Sequence, residues 1–590
     1  LKSDESVVLN RDARRGRRVA ALATAIASLL AAPGVYAAPP PDAGTLIETV
    51  KPIPALPPRP IGELIKGIPD ARPALAADAG LRLRLANVRF SGVTVMPLSD
   101  LQNLVRPDIG REVSFADLDA LAGRVTKLYR DRGYFVARAY LPQQEIQDGS
   151  IEILVLEGHL GKIHPQLTTA GPKIADSVLA GFVADALPPQ KPVTVAALER
   201  ALLLVNDLPN VTAHATLVPG SSLGATDLVL DANASGRFSQ DTIEADNAGS
   251  RYSGAYRFGG SVNLVSPAGI GDLLSARGLT SFSGFNYGRL AWSTPVGGSG
   301  LKLGTSATYT DYKLGGALRP LDDHGDANIF SVFSVYPIVR SRMFNLYQTA
   351  TIETKSLHDD SVAGELANKR INVGSLGLSG DETDTWSGGG LATFGITLGL
   401  GHLALNGGTE ATADASTART AGDYHKLTIQ ALRQQRLSAD WVLYASVNAQ
   451  LASKNLDSSE SLSFGGPTGV RAYPVGEAPA DAGVLATVEL RYNLPVQFSL
   501  GALQAQVFYD HGNVTLHKNP WDSFVASGEH DKYVLQSLGV GANLYRDGSL
   551  LISASAAHKL GSNPDPGVHG DDADGRDSSV RFWLQLVKYW

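Results

Sequence analysis

The sequence predicts an all-β transmembrane barrel of about 16 antiparallel strands, preceded by two small α+β modules. Three observations carry that expectation. The chain opens with a basic stretch and a short apolar run of the export-signal kind; two stretches of about 75 residues repeat one β-α-α-β-β order; and from about Arg237 onward apolar and polar residues alternate with no helical period.

The first element is an address. Arg11, Arg14, Arg15, Arg17 and Arg18 precede an apolar run from Val19 to Ala32, and Val35 and Ala37 put small residues at the −3 and −1 positions of a cut after Ala37. Residues 1–37 read as a secretory signal peptide, because the run falls short of the ~18–20 residues a bilayer-spanning helix needs. No other apolar run reaches that length. A membrane location then requires a closed barrel, the only other spanning structure whose backbone polar groups are all satisfied. Residues 38–83 read as a Pro-rich linker, with Pro39-Pro40-Pro41, Pro52, Pro54, Pro57, Pro58, Pro60 and Pro69 holding it extended, and with Ile61–Ile65 able to form a short helical turn.

Residues 84–158 form the first module. Ala86, Val88 and Phe90 alternate as a strand, a short helix follows near Ser99–Val105, and Ser114 with Asp117 makes a capping box. Leu118, Leu121, Ala122, Val125, Leu128 and Tyr129 then line one face of a strong helix that Gly133 stops. Two strands, Tyr134–Leu141 and Ile151–Leu156, close the unit. This order, with the phrases LYRDRGYFVARAYLPQQ and DGSIEILVLEG, resembles the POTRA module of outer-membrane transport proteins. Residues 159–235 repeat the order with little identity: Thr194 caps a helix with Leu198, Ala201, Leu202 and Val205 on one face, and strands follow at Val211–Leu217 and Ala225–Leu230. A three-stranded sheet of this kind has an edge to which an incoming extended chain can add by backbone hydrogen bonds alone.

Residues 236–590 read as the barrel. Trp441, Leu443, Ala445, Val447, Ala449 and Leu451 alternate with Tyr444, Ser446, Asn448 and Gln450, and the same pattern recurs over Val484–Leu494. Such strands present one face to lipid and one to a wet lumen. The last strand, Arg581 to Trp590, ends on an aromatic residue and resembles the C-terminal signature of bacterial outer-membrane barrels; Lys588 interrupts its apolar face and must snorkel.

Two motifs carry mechanism. A long loop at about 452–483 contains Phe464-Gly465-Gly466-Pro467-Thr468-Gly469-Val470-Arg471-Ala472-Tyr473-Pro474, and a later strand contains Phe508-Tyr509-Asp510-His511-Gly512. Alternation over Gly501–Asp510 turns Leu503, Ala505, Val507 and Tyr509 outward and leaves Phe508 and Asp510 facing the lumen. The motifs resemble those of the two-partner secretion transporter family, the exporters of haemolysin and filamentous haemagglutinin: a Val-Arg-Gly-Tyr tip on an inward-folded loop and a Phe-x-Asp-x-Gly barrel strand. The resemblance implies site residues Val470, Arg471, Ala472 and Tyr473 at the tip and Phe508, Asp510 and Gly512 on the strand, with Arg471 and Asp510 as an ion pair. Ala472 stands where the family has Gly, which strains the tip if that position needs a positive φ.

The resemblance further implies a pore in the bacterial outer membrane with its POTRA modules in the periplasm. It would export an exoprotein of the haemolysin or adhesin type that the modules capture unfolded, would itself be inserted by the barrel-assembly machinery, and would be bathed in outer-membrane lipid. The rival reading is a barrel-assembly or lipid-handling factor of the same superfamily; two modules rather than a longer string favour export. Other classes fail on composition. With Cys 0 there is no thiolate metal site, disulfide or catalytic thiol, and a net charge of −7, with 51 basic against 58 acidic residues, argues against nucleic acid. Gly220-Ser221-Ser222-Leu223-Gly224 fits G-x-S-x-G but lacks the following helix that would expose a nucleophile. No H-E-x-x-H or phosphate-binding G-x-x-x-x-G-K-[ST] occurs, so no metal, cofactor or nucleotide hydrolysis is expected on this chain, and no enzymatic activity.

Overall fold

Sixteen strands, from Ser239–Asp246 to Val580–Tyr589, hydrogen-bond in chain order, and the first pairs with the last. Closure leaves no unpaired edge, which is what a sheet needs in lipid. In this computed structural model residues 40–50, 52, 64–66 and 82–590 are described, except 170, 190, 235–236, 547 and 568–569. The signal peptide expected at 1–37 lies outside the described residues.

The alternation read from the sequence sets the two faces. On the eleventh strand, Trp441–Ala452, Trp441, Val447 and Leu451 are exposed on the outside of the barrel while Gln450 is buried in the lumen. On the sixteenth, Phe582 and Leu584 point out and Val587 points in, and the Lys588 ammonium lies 5.5 Å from the Trp590 ring centroid. The eighth strand, Gly364–Asp384, runs 21 residues, about twice what crosses a bilayer, so the barrel rises beyond the membrane on one side.

Both modules precede the barrel with one topology. In the first, Asn87–Ser91 pairs parallel with Ser150–Leu156, which pairs antiparallel with Arg138–Tyr140, and the Phe115–Asp131 helix covers the sheet. The Ser114–Asp117 capping box is present, and Glu157, buried behind the helix, accepts hydrogen bonds from the Thr94 and Val95 amides and the Tyr129 hydroxyl. The second module pairs His159–Thr169 parallel with Ala225–Ala234, and that strand antiparallel with Val211–Pro219, beneath helices Asp176–Ala186 and Val195–Asn206. Residues 220–224, the G-x-S-x-G match, form the turn between those two antiparallel strands.

The second module sits against the turns at one end of the barrel. Arg340 holds Asp207 with two hydrogen bonds of 2.7 and 2.8 Å, the Lys302 ammonium donates to the Asp207 carbonyl, and Arg200 donates to the Pro337 carbonyl. These turns follow the even-numbered strands, at the end where the chain enters the first strand and leaves the last, which is the end the resemblance expects to face the periplasm.

The linker departs from the expectation in two places. Ala43–Glu48 is a helix inside the barrel, where an extended chain was expected. Of the Ile61–Ile65 turn, residues 61–63 lie outside the described residues, and Ile65–Lys66 is a strand added in parallel to Val211–Pro219.

Candidate functional site

The thirteenth strand, Gly501–Thr515, presents Phe508, Asp510, Gly512 and Val514 to the lumen, all of them buried, and Val507 and Tyr509 to the outside. What covers the inner face is the segment between the eleventh strand and the twelfth, Ala482–Phe498, which folds back into the barrel. Leu462–Ser463 and Pro479–Ala480 pair at its base. Phe464, Val470, Ala472 and Tyr473 pack with Phe508, Val514 and Leu535 from the wall, so the tip is anchored by a small apolar core. Gly512 is required by that approach: a Cβ there would lie 2.7 Å from Phe464 Cδ1 and 3.1 Å from Val470 Cγ2. Ala472 does not have a positive φ and its methyl is fully buried, so the strain that Ala in place of Gly would bring does not arise.

Arg471 is the polar centre. Its Nε and Nη2 donate to the two oxygens of Asp510 at 2.9 and 2.7 Å, its amide donates to the same carboxylate at 3.1 Å, and its Nη1 donates to Glu489 Oε1 at 2.8 Å. The guanidinium also lies over the Phe508 ring, 3.3 Å from its centroid. Thr487 and Ser537 hydroxyls donate to Asp510 at 3.0 and 2.8 Å, Arg491 Nε donates to Glu489 at 2.8 Å, and Trp583 on the last strand donates to the Arg471 carbonyl at 2.7 Å. Burial by itself would depress the Arg471 pKa; the Asp510 and Glu489 carboxylates outweigh it and raise it, so the group is charged at any working pH. Two arginines face two carboxylates, so the charges of the cluster balance. Below the tip a cavity of about 630 Å³ is lined by Tyr347, Asp381, Thr393, Arg471, Thr487 and Glu489.

Two further contacts close the lumen. Behind the tip, the buried Glu477 carboxylate accepts from Asn563 Nδ2 at 2.9 Å and the Ala573 amide at 2.8 Å, which ties the loop to the last extracellular loop, where Asp572 also bridges Lys559 and Arg581. Burial pushes the Glu477 pKa up to about 7; the Ala573 and Asn563 hydrogen bonds and Arg581 pull it down, and Asp572 adds to the rise. The second contact is the Ala43–Glu48 helix. Asp42 caps it by accepting from the Thr45 amide at 2.8 Å, Ala43 and Leu46 are buried against Tyr312, Leu357 and Leu456, and the Ala43 amide donates to Asp359 at 3.0 Å. Ser458 at the start of the inward loop donates to Asp42 at 2.5 Å, and Lys369 bridges Asp457 at 2.9 Å.

The residues named from the sequence therefore lie together, Val470, Arg471, Ala472 and Tyr473 against Phe508, Asp510 and Gly512. Sequence reading missed Glu489, Glu477, Trp583 and the lumenal helix. Glu489 was visible as a lumenal residue, since it lies on the polar face of its strand; that it reaches Arg471 depends on the register Thr487↔Asp510, which only the paired strands define.

Residues 83–158 match the POTRA domain of ShlB type, and residues 224–530 match the haemolysin secretion/activation protein family ShlB/FhaC/HecB. The chain belongs to that family. Members of the family are two-partner secretion transporters of the outer membrane that export a partner exoprotein, and this chain is a transporter rather than an enzyme. It is 28% identical over 536 residues to the heme/hemopexin transporter protein HuxB of Haemophilus influenzae, covering 90% of this chain and 91% of that one. It is 25% identical to the outer membrane transporter CdiB of Dickeya dadantii over 77% of this chain and 80% of that protein. In fold it is similar to CdiB from Escherichia coli, with a TM-score of 0.68 at 19% identity over 88% of this chain and 93% of that one.

Proposed function

We propose that this family member exports an exoprotein of the haemolysin or adhesin type to the cell surface without nucleotide hydrolysis, using the inward loop as a lock and the N-terminal helix as a plug. The observation that carries the reading is the buried Arg471–Asp510–Glu489 cluster, the polar centre of the contacts that hold the loop inside the lumen. A charge cluster of this kind positions a segment more than it stabilises a fold. Its partners sit on neighbouring strands, so a small shift of the tip removes all its bonds together. The periplasmic modules supply strands for capture of an unfolded segment, the pore conducts it once loop and helix rearrange, and folding outside prevents return.

Removing residues 84–234 tests capture: secretion of the partner exoprotein should fall to background while the barrel still inserts. Undiminished secretion overturns the proposal.

A further inference from the structure

The Phe508-Tyr509-Asp510-His511-Gly512 stretch has two faces, and the site described above uses the inner one. Phe508, Asp510 and Gly512 meet the inward loop, whereas Tyr509 and His511, the residues between them, lie on the outer face of the barrel. On the fourteenth strand, Lys532–Arg546, Gln536 lies opposite His511 and Leu538 opposite Tyr509. On the fifteenth, Leu550–Lys559, the exposed His558 lies opposite Leu538. Toward the modules the same outer face is apolar, with Val507 and Val540 both exposed. Tyr509, His511, Gln536 and His558 are therefore the first polar side chains above a lipid-facing wall, at the end away from the modules, where headgroups lie.

The group is ordered by its own hydrogen bonds. Gln536 Nε2 donates to Tyr509 Oη at 2.8 Å and to His511 Nδ1 at 3.2 Å. An imidazole that accepts at Nδ1 keeps its proton on Nε2, so His511 presents an N–H donor on the side of its ring away from Gln536 even when neutral. Lys532 stands exposed four residues from Gln536 on the same face, and Asp531 beside it is turned to His517. No strand carboxylate opposes an anion in this sector. From Ala482–Phe498 to Val580–Tyr589 the acidic residues within the strands are Glu489 and Asp510, both buried in the lumen. Elsewhere the outer rim is acidic, with Asp311 on the fifth strand, Lys302–Lys313, Asp326 on the sixth, His324–Arg340, and Asp423 on the tenth, Gly422–Arg436.

We propose that Tyr509, His511, Gln536 and His558 form a binding site for a phosphate group of the outer-leaflet glycolipid, with the Lys532 ammonium reaching the same phosphate from above. The acyl chains would then lie along Val507, Leu538 and Val540, so one lipid satisfies both the polar row and the apolar wall beneath it. The site has a structural consequence. Tyr509 and His511 flank Asp510, and Gln536 adjoins Ser537, whose hydroxyl donates to Asp510 at 2.8 Å. A headgroup bound outside therefore ties together the same two strands that anchor the inward loop inside. The proposal depends on the barrel's place in the outer membrane and not on which exoprotein passes through it.

The full-length transporter, purified in detergent, is titrated in native mass spectrometry with three probes: lipid A bearing its phosphates, the same lipid stripped of phosphate, and phosphatidylglycerol. The parent should bind lipid A about ten-fold more tightly than the stripped lipid, which is what one charge-assisted hydrogen bond supplies. His511→Ala/His558→Ala should lose that preference. Gln536→Glu, which keeps the side-chain shape and sets a negative charge among the donors, should lose it as well. His402→Ala/His425→Ala, on the ninth strand, Gly390–Leu405, and on the tenth beside Asp423, should keep it. Equal binding of lipid A with and without its phosphates, or a preference that survives in both site variants, overturns the proposal. Phosphatidylglycerol bound as tightly as lipid A overturns the assignment to the glycolipid. Heat-modified electrophoretic mobility shows whether each variant's barrel is folded, and Gln536→Glu decides the question where the double variant is not.

Discussion

At the scale of single residues, Arg471 has two carboxylate partners, and that shapes what substitutions do. Arg471→Ala leaves Asp510 buried without its main donor, and Asp510→Ala leaves the guanidinium with Glu489 alone; breaking a buried pair in this way costs about 3–5 kcal/mol. Each variant should lower the thermal midpoint of the folded barrel and cripple secretion, and the double variant should add little to either; simple additivity in a double-mutant cycle would show that the two do not act together. Gly512→Ala drives a methyl into Phe464 and Val470 and should free the tip without touching any charge, measurable as a rise in single-channel conductance. Glu477 gives a pH signature. Its folded pKa of about 7 lies above the ordinary 4.5, so the folded protein holds a proton that the unfolded chain has released. The stability tied to the neutral form is complete below about pH 4.5, declines as pH rises, and is gone above about 7. Glu477→Gln keeps the form that burial prefers, so its advantage over the parent should grow from pH 5 to pH 8 toward a value on the order of 3 kcal/mol in denaturant melts. A difference that stays flat with pH would rule out this titration. Asp510 could be read from the sequence because period-two alternation assigns it a face; Glu477 could not, since it lies in a loop where no period operates and its burial depends on the final extracellular loop folding over it.

Elements are held here more by their surroundings than by their own propensity. Six residues are far too few for a helix to persist alone, so Ala43–Glu48 exists because Asp42 caps it and the lumen wall buries Ala43 and Leu46. Leu46→Asp should expel it, and the reconstituted pore should then conduct more at every voltage; unchanged conductance would mean that the inward loop alone closes the lumen. The helix had no legible signature because one and a half turns cannot display a helical period, and its neighbours are prolines that point to a linker. The Phe115–Asp131 helix is the opposite case. Its seventeen residues carry a capping box and a continuous apolar face, so local sequence and final packing agree.

For the molecule as a whole, what matters is how the two modules, the barrel and the tether are joined. The second module does not hang free: Asp207 is clamped by Arg340 and touched by Lys302, both from the barrel. Arg340→Ala should leave the barrel's own melting unchanged while broadening spin-label distances between the second module and the barrel rim, and should reduce secretion several-fold; a sharp distance distribution would show that the Lys302 and Arg200 contacts suffice. The sequence by itself determined the class of the fold, the two modules and the site's strand face, because hydrophobic period and capping are local properties of consecutive residues. Tertiary structure decided which lumenal carboxylates meet Arg471, where the N-terminal helix lodges, and that a piece of linker completes the second module's sheet. Those depend on register, on closure of the first strand upon the last, and on contacts between residues hundreds of positions apart, such as Ala43 with Asp359, which no local pattern encodes.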